Sequence, residues 1–120
     1  MGNMINDIRE KYKRAVLEML ILRLLTEEDK YGYQLKTEIN KRSEGFITLT
    51  EGVLYPPLYR MSHKGMISER KVIVNVRRER VYYHIEPAGV EYLEMLEQEY
   101  DNYVEGVRLV REGTAGKKDQ

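Results

Sequence analysis

The chain has 120 residues, with 20 Lys and Arg balanced by 20 Asp and Glu, two His, no Cys, no Trp and ten Tyr beside a single Phe. One domain's length, 42% hydrophobic and 33% charged, excludes wholesale disorder. The lack of Cys excludes disulfide frameworks, thiolate metal sites and Cys nucleophiles, and two isolated histidines, His63 and His84, leave metal chemistry almost nothing to work with, so neither metal nor cofactor is expected.

In chain order, Ile5, Ile8, Tyr12, Ala15, Met19 and Leu22 alternate steps of three and four, which predicts a helix with one continuous seam. Its second half, Ala15 to Leu25, is apolar apart from Glu18 and Arg23, so that half is covered on more than one side yet is too short to span a bilayer. No signal-peptide pattern opens the chain; a cytoplasmic protein with no membrane partner is expected. Asp29 is a candidate cap for a second helix carrying Tyr31, Leu35 and Ile39, ended by Gly45 in a left-handed conformation. Phe46 to Leu49 reads as a brief strand or extended link. Thr50 offers a capping hydroxyl to a third helix with Leu54, Leu58 and Met61 buried, in which Pro56 and Pro57 predict a bend or a late start. Ile67 to Val76 and Val81 to Ile85 alternate as two strands joined around Arg77-Arg78-Glu79. Pro87 suits the first turn of a last helix whose seam runs Leu93, Leu96, Tyr100, Tyr103, Val107, Val110.

The zero net charge conceals a division. Residues 1–86 hold 16 basic and 12 acidic side chains, and 87–120 hold 4 and 8. The excess concentrates in Arg60, Lys64, Arg70, Lys71, Arg77, Arg78 and Arg80, against Glu69 and Glu79 alone. Such a stripe can attract an anionic partner on a neutral protein, because screened attraction acts over roughly 10 Å.

Helix, helix, short strand, helix, hairpin, helix is the order of a winged helix-turn-helix, so the expected class is α+β, mainly α, with an N-terminal helix and a long C-terminal dimerisation helix. The expected organisation is 1–86 as the winged domain, 87–112 as the dimerisation helix and 113–120 as a tail. The third helix would enter the major groove of double-stranded DNA with Thr50, Gly52, Tyr55, Tyr59, Arg60 and Lys64 on its accessible sides. Arg77, Arg78 and Arg80 give the hairpin fixed positive charge for phosphates or the minor groove. Seams through Ile5, Ile8 and Tyr12 and through Leu93, Leu96, Tyr100, Tyr103, Val107 and Val110 want partners, which a homodimer pairing each first helix with the other chain's last helix would supply.

Leu17 to Leu25, Tyr31-Gly32-Tyr33, Leu54-Tyr55-Pro56 with Leu58 and Arg60, Gly65-Met66-Ile67, and Tyr82-Tyr83-His84-Ile85 with Ala88-Gly89 resemble the PadR family of bacterial transcriptional regulators, over nearly the whole chain. The resemblance implies a dimeric repressor binding an inverted repeat, with Tyr55 at the family's DNA-contacting tyrosine, Arg60 at its basic position and Arg80 at the wing arginine. Tyr59 replaces a usual lysine, and Val81 stands where a basic residue often precedes the tyrosine pair. Several members are released by a small aromatic or planar effector, and here such a site would involve Val16, Leu17, Leu93, Tyr100 and Val104, with efflux, detoxification or stress genes as targets. A protein-interaction module using the two seams is the alternative. An enzyme is not expected, since no catalytic constellation is present.

Overall fold

The computed structural model describes residues 2–113; of the expected tail at 113–120, all but Gly113 lies outside the described residues. The elements are α1 (Gly2–Leu25), β1 (Lys30–Tyr31), α2 (Gly32–Arg42), α3 (Glu51–His63), β2 (Ile67–Asn75), β3 (Arg78–Ile85) and α4 (Pro87–Glu112). The strands form an antiparallel sheet in the order β1-β3-β2. The fold is mainly helical α+β, a helix-turn-helix flanked by a hairpin wing.

One apolar cluster ties the elements together. Ile21 and Leu22 of α1, Leu35 and Ile39 of α2, Leu54, Leu58 and Met61 of α3, Ile67 of β2, Tyr83 of β3 and Leu93 of α4 are all buried. Each such side chain contributes roughly 1.5–3 kcal/mol through the apolar surface it removes from water. The C-terminal half of α1 and the N-terminal half of α4 pack within the same chain, fastened by an Arg23–Glu97 ion pair and by Tyr92 donating to Glu18. The two seams are therefore partly satisfied internally. Leu93, at 2% exposure, belongs to its own core and is not available to a second chain, which corrects its assignment to the dimer seam.

Local chemistry corrects several other expectations. Asp29 does not cap α2; the cap residue is Tyr31, whose amide donates to Gln34 Oε1 at 3.1 Å. The brief strand lies at Lys30–Tyr31 instead of Phe46 to Leu49, which contains no strand, because β1 finds pairing partners in Tyr82 and Tyr83. Thr50 is the cap of α3 by position, but its hydroxyl makes no capping bond. That helix begins at Glu51 and carries Pro56 and Pro57 inside it, so it does not start late. The prolines deprive the Gly52 and Val53 carbonyls of their helical donors.

The hairpin turn is Val76-Arg77, earlier than expected, and Arg78 and Glu79 belong to β3. Asn75 Oδ1 accepts the Arg77 amide at 3.0 Å and closes the turn. No residue there has positive φ, and a bulge between Ile73 and Asn75 adjusts the strands to the turn.

Lys30, although buried, has Nζ at 2.9 Å from Glu38, 3.5 Å from Glu28 and 3.6 Å from Glu27. Burial pulls its pKa down, yet these carboxylates leave it raised overall. Arg42 completes the cluster on Glu27 and Glu38, locking the α1–β1 connection to α2.

Candidate nucleic-acid interface

With Leu54, Leu58 and Met61 inward, helical geometry leaves Gly52, Tyr55, Tyr59 and His63 on the outer surface of α3. Tyr55 is 43% exposed and not merely a core aromatic. Its position is set by Gly32 at the start of α2: a Cβ there would lie 2.5 Å from the Tyr55 hydroxyl oxygen and 3.0 Å from Cζ. The missing side chain makes the seat for the ring. Tyr59 is exposed and stacks on His63, with centroids 5.2 Å apart and planes at 21°. Gly52 is open: a Cβ added there would meet only Thr50 Oγ1, at 3.9 Å, and Thr50 is itself exposed.

The wing arginines differ in their surroundings. Arg80 lies over the Tyr31 ring at 4.3 Å. Arg70 lies over Tyr82 at 5.2 Å and reaches Asp29 at 3.2 Å. His84 Nδ1 bonds the other Asp29 oxygen at 2.7 Å, and the bonds from His84 and Arg70 hold the Asp29 carboxyl below its ordinary pKa against the opposing effect of burial. The wing is thereby strapped to the end of the α1–β1 connection. Arg77 and Arg78 are exposed, and among the described residues they, Lys64 and Lys71 form no ion pair.

Tyr55, Arg78 and Arg80 meet Tyr31, Gly32, Tyr33, Glu79, Val81 and Tyr83 around a concavity of about 540 Å³ between α3, the start of α2 and the wing. Tyr83 forms its floor, and burial pushes its hydroxyl pKa up to about 12, so it stays neutral. Tyr31, Gly32 and Tyr33 had no site role from sequence; the signal available was a glycine between two tyrosines at a helix start. Arg60 and Lys64 are not part of this group. They lie on the other flank of α3, in a concavity shared with Arg14, Leu17, Glu18 and Tyr92, with Arg60 3.7 Å from Glu18.

The residues assigned to an effector differ in their surroundings within the described chain. Leu17 and Leu93 are core, Val16 is half-buried, and Tyr100 and Val104 are exposed on the projecting part of α4. The concavity beside Val104 is lined by Val107, Arg108, Arg111 and Glu112 instead. Of the expected seams, Ile5, Ile8, Tyr12, Tyr103, Val107 and Val110 are exposed, and Leu96 packs against the core. Among the described residues no group of His, Asp and Glu could hold a metal, and no helix is long and apolar enough to cross a membrane.

The family model described as the transcriptional regulator PadR-like family matches residues 21–95, which include α2, α3, the wing and the start of α4. The chain belongs to the PadR-like family. A PadR-like regulator structure from Bacillus cereus is 34% identical, with TM-score 0.70 over 83% of this chain and 95% of that one. An uncharacterized protein of Lysinibacillus sphaericus is 33% identical over 106 residues, covering 88% of this chain and 97% of its own length. The PadR of Bacillus subtilis, solved with operator DNA, is 25% identical with TM-score 0.61, over 66% of this chain and 45% of that one. PadR-like proteins are transcriptional regulators, so an enzymatic reading has no support here.

Proposed function

We propose that this PadR-like regulator is a homodimeric, sequence-specific repressor that binds an inverted-repeat operator through α3 and the wing. The observation carrying this reading is the shared concave surface on which Tyr55 and the wing's Arg78 and Arg80 converge. Tyr55 offers a hydroxyl to a phosphate from α3, while Arg77 and Arg78 carry unneutralised charge at the wing. The operator-bound Bacillus subtilis relative supports the same use of the fold. Arg80 acts by stiffening the wing against Tyr31 and presenting the remaining donors of its guanidinium.

Dimerisation rests on the exposed row Tyr100, Tyr103, Val104, Val107 and Val110 on α4, and on Ile5, Ile8 and Tyr12 of α1. These apolar residues lie on helical surfaces that the single domain leaves open, and a two-fold dimer would match a palindromic site. A planar effector at Tyr100 and Val104 depends on that dimer, because one chain does not enclose them. Its regulated genes would be those of efflux, detoxification or stress.

The test is Arg77→Ala/Arg78→Ala in salt titrations of binding. Binding to every sequence should weaken, with a salt slope lower by about one unit for each phosphate that the variant no longer neutralises. An unchanged slope removes the wing from the interface.

A further inference from the structure

The hairpin tip is apolar and no described residue covers it. Val76 is 100% exposed and Ile73 is 74% exposed, with the partly exposed Val74 between them at the bulge. Ile73 pairs with Glu79, which places it on the sheet face that carries Val81 and Tyr83. Those two residues line the concavity that holds Tyr55. The apolar tip therefore extends the proposed DNA-facing surface, and Arg77 and Arg78 stand directly beside it.

We infer that Val76 and Ile73 are a minor-groove probe, making the wing select A·T pairs beside the segment met by α3. This rests on the DNA-binding reading above. Neither side chain has a donor or acceptor, so neither can hydrogen-bond a phosphate or a base edge. What they can do is fill space against sugars and the groove floor. The A·T floor presents acceptors, which the adjacent arginines can meet, whereas G·C adds an N2 amino donor. Pressing Val76 against that amino group would strip its water and give it no partner. A narrow A·T groove also attracts Arg77 and Arg78 by its stronger negative potential. With a groove about 6 Å wide, the Val76-Arg77 turn can enter while the full hairpin cannot, so Val76 meets the groove floor and Ile73, on β2, packs against the sugars at its mouth.

The experiment titrates the full chain onto its own upstream duplex and onto the same duplex with diaminopurine replacing adenine throughout the footprint. Diaminopurine adds the minor-groove amino group and leaves the major-groove pattern of A·T intact. The wild-type protein is expected to bind the substituted duplex roughly five- to tenfold more weakly, in the range of an unfavourable base pair. In Val76→Ser this discrimination should shrink to under about twofold, and Ile73→Thr, which keeps strand propensity, should reduce it partly. Circular dichroism confirms that each variant folds. Equal wild-type binding to both duplexes overturns the inference, as does full discrimination by both variants, which would leave the tip to a protein partner. Wild-type protein that binds neither duplex overturns the DNA-binding reading itself.

Discussion

Gly32→Ala tests how the fold aims Tyr55. The added Cβ would lie 2.5 Å from the Tyr55 hydroxyl oxygen, against an ordinary contact beginning at 3.4 Å, so the ring must retreat by about 0.9 Å. Tyr55 is half-exposed and can swing outward, so the domain should fold with little change in stability. A displacement of that size takes a phosphate hydrogen bond outside its working range of about 2.7–3.2 Å. Losing a bond to a charged acceptor costs about 1.5 kcal/mol at the low end, or roughly tenfold in Kd. Anisotropy titrations of wild type, Gly32→Ala, Tyr55→Phe and the double variant on one operator give a complete cycle. Each single variant should weaken binding by a similar factor, and the double variant should be little worse than Tyr55→Phe, because both act through one hydroxyl. Wild-type affinity in Gly32→Ala, or losses that simply add, would refute the coupling.

Gly89→Ala should instead destabilise the fold: its Cβ would overlap the Met66 carbonyl oxygen, a backbone atom that cannot swing aside. Overpacking should outweigh the helix-propensity gain, for a net loss of about 2 kcal/mol in urea unfolding; an unchanged midpoint would contradict it. Val107→Asp on the exposed row of α4 should convert a dimer into a species near the 14.3 kDa chain mass in sedimentation, and an unaltered dimer would remove that row from the interface. The Arg42 hydrogen bond, opposed by burial and aided by the Arg42 and Lys30 charges, lowers the Glu27 pKa from 4.5 to about 2. Because the folded value is depressed, its contribution is present above pH 4.5 and disappears as pH falls through about 2. Glu27→Gln should flatten urea midpoints across that window, and an identical pH profile would count against the cluster's role.

The helices and the hairpin were legible because their apolar spacing is long and regular; Leu54, Leu58 and Met61 alone orient α3. β1 was not, since two residues carry no period and Lys30–Tyr31 is a strand only by virtue of β3 beside it. The turn was displaced because Asn75 closes it through a side-chain bond that follows no Asn-Gly rule. Within the candidate site, Tyr55 and the wing arginines could be named from helix phase and position. Their separation from Arg60 and Lys64 depends on which flank each takes, and Arg60 is drawn to Glu18 on α1. Tyr31 and Gly32 enter through tertiary contact with Arg80 and Tyr55, which no local pattern records. Leu93 shares the seam's period, but burial assigns it to the domain core.

Specific operator recognition is tested by a mobility-shift titration on the chain's own upstream DNA, with excess random duplex and at two salt concentrations. A saturable complex that survives the competitor and weakens as salt rises is the predicted result. Complexes abolished by random duplex at both salts would contradict sequence-specific repression and leave only a basic wing on this fold.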